Sequence, residues 1–330
     1  MYVSVVIPTF NRKNSLNKTL QSLINQNYPQ NKYEIIVCDD GSTDDTPALM
    51  KSTQNGASVE IKYFVQANSG PASARNLGIR EAKGEIIGFI DDDCIAVPDW
   101  INSTLKHFGQ PKIGGVQGPT LQISKIPLRK KVFNYARTAN VTKQDYSYAS
   151  CNIFYRKDIL DAIKGFDSNF PVPCWGEDTD LGNRIALRGY DIVFDDDVKV
   201  FHDIQYIPFY SYLRSLKKYS SRALLIKRYP FMRKRFPLKI IGVKSHVYPI
   251  FIILSILAYI ISKLGAFSDF YLSGAIALTF VFYLWGRVTI DSNYKLYPMR
   301  LALFLRYLLL DTVGLYYTLK GCVRYKTILL

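Results

Sequence analysis

Short apolar runs alternate with amphipathic segments through the first 90 residues. The apolar runs are VSVVIP, EIIVC, IKYFV and EIIGFI. After the first run, Leu16, Leu20 and Leu23 fall on one helical face, and Pro71 opens a helix-like segment that ends before Gly84. Continuous apolar strands joined by helices predict an α/β domain whose parallel sheet is covered by helices on both faces.

The pattern becomes mixed after about residue 110. GGVQGPTLQI, YASCNIFYR and IVFDDDVKVFH are typical of strands, and GEDTDLGNRIALRGY is typical of a helix. We therefore expect a mixed, mostly parallel sheet in one domain over residues 1–205. Within it, residues 1–110 and 111–205 form two halves that differ in this alternation.

Charge divides the chain into two unlike parts. Residues 1–203 carry 23 Lys and Arg and 24 Asp and Glu, whereas residues 204–330 carry 19 Lys and Arg and only 3 Asp and Glu. Such asymmetry is typical of contact with nucleic acid or with an anionic membrane surface. Two nearly uncharged runs in the basic part, 247–262 and 270–286, do not suit a nucleic-acid groove. We therefore expect a membrane partner and no nucleic acid.

The basic part predicts helices that associate with a membrane. Residues 206–245 are a basic juxtamembrane segment, and residues 246–330 are expected to hold the membrane-associated helices. The runs 247–262 and 270–286 are candidate spans that form a helical hairpin, although each is slightly short for the hydrocarbon core. Residues 301–319 are expected to form an amphipathic helix in the membrane interface. A helical hairpin inside a protein core is the alternative.

The same segment predicts the side of the membrane. Basic residues before a span favour the cytosol, so we expect the catalytic domain on the cytoplasmic face of the cell membrane. The opening MYVSVVIPTFNR has the pattern of a strand and lacks that of a signal peptide. The five cysteines have no CxxC spacing and are expected to be free thiols, as in a reducing compartment.

Carboxylates follow two of the predicted strands where each strand ends. Asp91, Asp92 and Asp93 come after EIIGFI, and Asp39 and Asp40 end the run EIIVCDD. Ligands bind at the carboxyl ends of strands in such sheets, so these acids are expected to share a crevice. Three neighbouring carboxylates repel unless a cation lies among them, and Mg²⁺ takes carboxylate oxygens together with substrate phosphates. Asp91 and Asp93 are the candidate ligands, and a solvated acidic turn is the alternative.

Four stretches together resemble glycosyltransferase family 2, whose domain has the GT-A fold. They are SVVIPTFNR, EIIVCDDGSTDDT, GPASARNLGIREAKGEIIGFIDDDC and CWGEDTDL, in the family's order over roughly residues 1–205. The resemblance implies a nucleotide-sugar donor, Mg²⁺ or Mn²⁺ as cofactor, and metal ligation by Asp91, Asp93 and His202. It makes residues 1–110 the nucleotide-sugar half of the domain and residues 111–205 the acceptor half. The implied donor-binding residues are Pro8, Thr9, Asn11, Arg12, Asp39, Asp40, Arg75, Asp91 and Asp92.

The stretch WGEDTD is expected to carry the second half of the reaction. Transfer of a sugar to an alcohol needs a base that takes the hydroxyl proton. The resemblance makes Asp178 that base and places Glu177 beside it, in the acceptor pocket. Trp175 offers an aromatic surface for a sugar ring. We expect a single displacement that inverts the anomeric carbon.

The expected reaction moves one sugar from a UDP- or GDP-sugar to a hydroxyl of a membrane-held glycan or lipid-linked saccharide. Polymerising members of the family carry a Q-x-x-R-W motif after the base, where this chain has KKYSSRALL, so single addition is expected. A synthase that loads a sugar onto polyprenyl phosphate is the alternative. Such a synthase has an acceptor that is already ionised and does not need the base.

Overall fold

The computed structural model describes residues 1–123, 134–144, 146–170, 176–235 and 297–327. The predicted spans 247–262 and 270–286 lie outside the described residues, and so does Trp175. Four of the five cysteines are described, and all four are free thiols.

The chain divides into two compact units, Met1–Ile126 with Ala136–Tyr206 and Pro127–Tyr135 with Ile207–Leu330. The described strands are β1 (Val3–Thr9), β2 (Tyr33–Asp39), β3 (Glu60–Val65), β4 (Ile86–Ile90), β5 (Cys94–Ala96), β6 (Ile113–Gln117), β7 (Thr120–Gln122), β8 (Asn134–Arg137), β9 (Asn152–Arg156), β10 (Asp191–Phe194), β11 (Val200–His202) and β12 (Gln205–Pro208). The described helices are α1 (Lys13–Ile24), α2 (Thr46–Gly56), α3 (Pro71–Glu81), α4 (Trp100–Leu105), α5 (Lys157–Ala162), α6 (Glu177–Ala186), α7 (Phe209–Ser215), α8 (Ser221–Arg228) and α9 (Tyr297–Tyr325).

Seven strands form the central sheet of the first unit, in the order β10-β6-β9-β4-β1-β2-β3. Strand β9 runs antiparallel to both of its neighbours. The other neighbouring pairs run parallel. This order confirms the predicted α/β architecture with a mixed, mostly parallel sheet. Because β1 lies between β2 and β4, the carboxyl ends of these three strands meet at one edge.

Both faces of this sheet are buried, as the continuous apolar runs predict. Alternate residues of β1 point to opposite sides, so Val5 joins one core cluster and Val6 joins the other. Helix α1 packs on the first cluster through Leu16, Leu20 and Leu23, while α3 packs on the second. Burying each such leucine contributes about 1.5–3 kcal/mol before chain entropy is subtracted.

A second sheet of three strands places residues from distant parts of the sequence side by side. Strand β11 runs antiparallel to β5 and parallel to β7. In this register His202 lies directly opposite Cys94, the residue that follows the three aspartates. The small sheet therefore brings the end of the VFH stretch next to the acidic cluster.

The second unit contains the long helix α9, which includes the predicted segment 301–319. Within this unit Leu310 of α9 packs with Tyr212 of α7 and with Leu216, and the Arg306 guanidinium lies over the Phe209 ring. None of the described helices combines the length and the apolar character needed to cross a membrane. The position of 301–319 in a membrane interface stays a prediction.

Candidate active site

The ends of β1 and β4 meet through a direct hydrogen bond. Thr9, the last residue of β1, donates from Oγ1 to Asp92 Oδ2 at 2.7 Å. Pro8 precedes it in the same strand and pairs with Cys38 of β2. The Asp40 backbone N–H donates to the Thr9 carbonyl at 2.9 Å, so the end of β2 joins the same edge. The polar ends of these strands therefore lie close together, as predicted, and their role in a ligand-binding crevice stays a prediction.

Arg12 binds two of the three clustered aspartates. Its Nη1 lies 3.0 Å from Asp92 Oδ1 and 2.8 Å from Asp93 Oδ2. Its Nη2 donates to Gln205 Oε1 at 2.7 Å, and Gln205 donates in turn to Asp93. Burial raises the pKa of Asp92 to about 6, although Arg12 opposes that shift. No sequence motif pointed to Gln205, since it follows the VFH stretch in a segment without its own pattern.

Asn11 ties the loop after β1 to the loop after β2. It adopts a left-handed backbone conformation with φ of 54°. Its Oδ1 accepts from the N–H groups of Thr43 and Asp44 at 2.7 Å and 3.2 Å. Its own N–H donates to Ser42 Oγ at 2.8 Å. Asn11 therefore holds these two loops together, and its role in donor binding stays a prediction.

The carboxylates that end β2 accept hydrogen bonds from the loops around them. Asp39 accepts from the Ser42 N–H at 2.7 Å and from the Tyr63 hydroxyl at 2.5 Å. Asp40 accepts from the N–H groups of Ser69 and Gly70, each at 2.8 Å, and from a glutamine amide. Both aspartates are buried. They hold the surrounding loops in place, and their contact with a nucleoside stays a prediction.

Three potential metal ligands gather where β11 meets the acidic cluster. Ligand atoms of Asp93, Cys94 and His202 all lie within 4.8 Å of one another. His202 Nε2 is 3.4 Å from Asp93 Oδ1, and its Nδ1 is fixed 2.7 Å from the Asp203 carbonyl oxygen. Burial raises the pKa of the Cys94 thiol, so its sulfur keeps its proton. The carboxylate therefore provides an oxygen that suits Mg²⁺ or Mn²⁺, and the imidazole adds a nitrogen, a ligand that the hard Mg²⁺ ion takes less readily.

Asp91 points toward a different partner. Its Oδ1 lies 2.8 Å from Arg75 Nη2, and it is not part of the three-residue group around His202. Burial alone would raise the pKa of Asp91, but Arg75 outweighs it and the pKa is lowered. The assignment of Asp91 as a metal ligand stays a prediction, while the structure shows it as the partner of a buried arginine.

Arg75, on α3, connects the two halves of the site. It is only 5% exposed. Beside its bond to Asp91, its Nη1 lies 3.8 Å from both Glu177 Oε1 and Asp178 Oδ1. One guanidinium therefore faces three carboxylates. The resemblance implies that Arg75 binds the donor, and no motif indicates that it also approaches the acceptor half.

Glu177 and Asp178 begin helix α6, directly after Gly176, whose φ is 94°. Burial, followed by repulsion from Asp178, raises the pKa of Glu177 to about 8. Burial also raises the pKa of Asp178, against the opposing effects of Arg75 and Ser150. The Asp178 side chain is 23% exposed and that of Glu177 is 8% exposed. Of the two acids, Asp178 is therefore the one that a substrate hydroxyl can reach more easily.

The described residues thus combine two chemical capabilities within one site. Asp93 and His202 can hold a divalent cation at the sheet edge. Asp178, across Arg75 from that edge, can take a proton from an entering hydroxyl. Trp175, which is predicted to bind the acceptor together with Glu177, lies outside the described residues.

Comparison with known proteins shows what this arrangement is similar to. Residues 4–164 match the family model described as Glycosyl transferase family 2. Glycosyltransferase AglE of Haloferax volcanii is 27% identical over 202 residues, which cover 60% of this chain and 65% of that protein. Validoxylamine A glucosyltransferase of Streptomyces hygroscopicus subsp. limoneus is 39% identical over 222 residues, with coverage of 57% and 48%. The chain therefore spans less than two thirds of the length of these relatives.

Solved structures support the same fold. Mannosyltransferase PcManGT from Pyrobaculum calidifontis, in complex with GDP-Man and Mn²⁺, superposes with a TM-score of 0.58 and 18% identity. The similarity covers 95% of this chain and 86% of that chain. At this identity the likeness shows the GT-A-like fold alone. The family match and the named relatives agree: residues 4–164 match the Glycosyl transferase family 2 domain, and the named relatives of this part of the chain are glycosyltransferases.

Proposed function

We propose that this chain is an inverting glycosyltransferase that moves one sugar from a nucleotide-sugar to a hydroxyl group. The observation that carries the proposal is the position of Asp178. It lies 3.8 Å from a guanidinium whose other partner, Asp91, belongs to the acidic cluster at the sheet edge. Arg75 therefore joins the proton acceptor to the acidic cluster that also contains Asp93, the candidate cation ligand, and a direct displacement needs both groups near the donor.

In the proposed mechanism the oxygen of the acceptor hydroxyl attacks the anomeric carbon of the donor while Asp178 takes the proton of that hydroxyl. The bond from the anomeric carbon to the nucleoside diphosphate breaks in the same step. General base catalysis of this kind contributes about 10²–10⁴-fold to a rate. Arg75 keeps positive charge between the donor and acceptor halves, and Glu177 lines the acceptor side. A Mg²⁺ or Mn²⁺ ion held by Asp93 and His202 would supply Lewis-acid neutralisation of charge on the departing diphosphate.

We further propose a UDP- or GDP-sugar as donor and a membrane-held glycan or lipid-linked saccharide as acceptor. The fold shared with a mannosyltransferase solved with GDP-Man and Mn²⁺ supports a nucleotide-sugar donor. The excess of 19 Lys and Arg over 3 Asp and Glu in residues 204–330 supports contact with an anionic membrane. We place the enzyme at the cell membrane, with its catalytic unit on the cytoplasmic face.

A thermal-shift screen of the purified chain tests the donor and the metal together. UDP-glucose, UDP-GlcNAc and GDP-Man would each be added with and without Mn²⁺. We expect one of them to raise the unfolding midpoint, with a larger shift when Mn²⁺ is present. No shift with any nucleotide-sugar, under conditions where the chain is folded, contradicts the proposed donor class.

Transfer assays then test the base and separate the proposal from its alternative. With a saccharide hydroxyl as acceptor, Asp178→Asn is expected to lower turnover by about 10³-fold while the thermal shift by the donor remains. Efficient transfer to a polyprenyl phosphate by both the wild type and Asp178→Asn would instead identify a polyprenyl-phosphate sugar synthase.

A further inference from the structure

The segment just before β9 lies along the first turns of α6, where the proposed base sits. Ser150, in this segment, is 1% exposed. Its hydroxyl donates to Asp178 Oδ1 at 2.8 Å, and its backbone N–H donates to Asp178 Oδ2 at 3.1 Å. A single residue therefore supplies a donor to each oxygen of the carboxylate. No sequence motif pointed to Ser150.

Two more contacts hold the same segment against α6. Thr179 donates from Oγ1 to the Ser147 carbonyl at 3.1 Å. The Tyr148 ring covers Gly182 so closely that an added Cβ would lie 2.1 Å from Tyr148 Cδ2. Tyr148 adopts a left-handed backbone with φ of 52°, which costs energy in a residue with a large side chain. Its packing on α6 compensates for that strain, so the segment has a defined place beside Asp178.

We propose that Ser150 is a positioning residue for catalysis, and this inference rests on the proposed function. Its two donors fix the plane of the Asp178 carboxylate, so that a lone pair faces the site where the acceptor hydroxyl arrives. Hydrogen bonds to the charged form also favour ionisation of a buried acid. Ser150 therefore keeps Asp178 both oriented and able to accept a proton.

Other groups around Asp178 act on its charge but do not replace this role. Arg75 favours the charged form from 3.8 Å, whereas Asp91 and Glu177 repel it. Tyr155, buried in β9, lies within electrostatic range of the same carboxylate. Among these neighbours in the described part of the chain, Ser150 donates a hydrogen bond to each oxygen of Asp178. Loss of its hydroxyl should therefore change both the orientation and the pKa of the base.

The first experiment measures the release of UDP or GDP from the nucleotide-sugar by the full chain, with water as the acceptor. The donor is whichever of UDP-glucose, UDP-GlcNAc and GDP-Man gives the largest thermal shift with Mn²⁺. We expect Ser150→Ala to lower kcat by about 10–100-fold and to leave the KM for the donor within about twofold. The acidic limb of the kcat–pH profile should move about one pH unit upward, because the carboxylate has lost a donor. Ser150→Thr, which keeps the hydroxyl, should restore most of kcat.

The second experiment is a double-mutant cycle on stability, which does not depend on turnover. Ser150→Ala is introduced into the wild type and into Asp178→Ala, and the unfolding midpoints are compared. If the hydroxyl acts through Asp178, Ser150→Ala should lower the unfolding midpoint at least about threefold less in the Asp178→Ala background than in the wild type. Ser22→Ala is the matched control, because Ser22 also makes two hydrogen bonds through its hydroxyl but lies on α1. It should leave the pH profile unchanged.

The outcomes separate this inference from the proposed function. If the wild type releases the product and the kcat–pH profile of Ser150→Ala is unchanged, the role of Ser150 is overturned and the proposed function is not. An equal stability cost in both backgrounds also overturns it, since the serine would then support the fold independently of the base. Absence of release with all three donors overturns the proposed function, and the catalytic role of Ser150 falls with it.

Discussion

The two groups of acids in the site have the same chemistry and opposite surroundings. The cluster after β4 faces positive partners: Arg12 lies within 3.0 Å of Asp92 and Asp93, and Arg75 lies 2.8 Å from Asp91. At the start of α6, Glu177 and Asp178 each lie 3.8 Å from the Arg75 guanidinium. The pKa of Asp91 is lowered by Arg75 in spite of burial, whereas burial raises the pKa of Glu177 to about 8.

This difference teaches how one polypeptide assigns separate tasks to identical side chains. Asp91, held by a cation, stays ionised, although burial raises the pKa of Asp92 in the same cluster to about 6. An ionised carboxylate can accept a metal cation when phosphate oxygens arrive. Acids held mainly by burial and neutral donors stay close to protonation and can exchange a proton. The comparison predicts that variants of the first group should alter metal binding and that variants of the second should alter proton-dependent properties.

The largest effect is expected from Asp93→Asn. The substitution keeps an oxygen but removes the charge that Asp93 offers beside His202, so Mn²⁺ binding should weaken by about 100-fold. Transfer should fall by about 10³-fold at fixed Mn²⁺. Mn²⁺ titration followed by electron paramagnetic resonance measures the first quantity, and a transfer assay measures the second.

The control is Asp197→Asn, which removes an exposed aspartate from the second acidic run, Asp195–Asp197. It should leave Mn²⁺ affinity unchanged. If Asp93→Asn bound Mn²⁺ as tightly as the wild type, the cation would have to be placed elsewhere, and the contrast between the two acidic groups would lose its meaning.

The second effect is expected from Arg75→Met, which removes the residue that both groups share. Three buried or half-buried carboxylates would then lose a cation, and the free energy of unfolding should fall by about 3 kcal/mol at pH 8. The loss should be smaller at pH 5, because protonation relieves repulsion among the acids. Chemical denaturation at the two pH values measures both quantities. Lys157→Met is the control, since it breaks only a surface pair with Asp161.

Local sequence predicted the elements of this site better than its cross-connections. The apolar runs predicted β1, β2 and β4, and strand polarity then required their polar ends to meet at one edge. The contacts of Arg75 with Asp178 and of Arg12 with Gln205 join residues that are about 100 and about 190 positions apart. Such contacts depend on which strands become neighbours, and no local periodicity contains that information.

Backbone polar groups were also invisible in the pattern. Arg12 precedes α1, and no side chain of that helix caps its start; Asp44, from the next loop, accepts from the Lys13 N–H at 3.1 Å. Ser150 likewise acts partly through its N–H group. Every residue type except proline offers such a donor, so the fold, and not the identity of the residue, decides how it is used.

The third effect is expected from Gly182→Ala, which probes the packing behind the acidic pair. The new Cβ would overlap the Tyr148 ring, and relief requires the segment that holds Asp178 to move. We expect a loss of about 1–2 kcal/mol in stability, since overpacking outweighs the better helix propensity of alanine. Transfer should fall more than Mn²⁺ affinity does. Gly109→Ala, at a position with no atom within 4 Å of the added Cβ, should be silent in both assays.

The smallest effect is expected from Glu177→Gln and depends on pH. The folded pKa of Glu177, about 8, lies above its ordinary value of 4.5. Between these values the folded state keeps a proton that the unfolded state has lost, so this contribution to stability is full below pH 4.5 and disappears by about pH 8. Glutamine stays neutral, so the stability of the variant relative to the wild type should rise steadily with pH between pH 5 and pH 8. Glu60→Gln is the control, and its stability change has the opposite sign. A hydrogen bond from Lys83 lowers the pKa of Glu60, so loss of this charge should lower the stability of the folded state. Urea denaturation at several pH values in this range measures the free energy of unfolding. If it changed with pH equally in Glu177→Gln and in the wild type, Glu177 would be ionised throughout, and this prediction would be wrong.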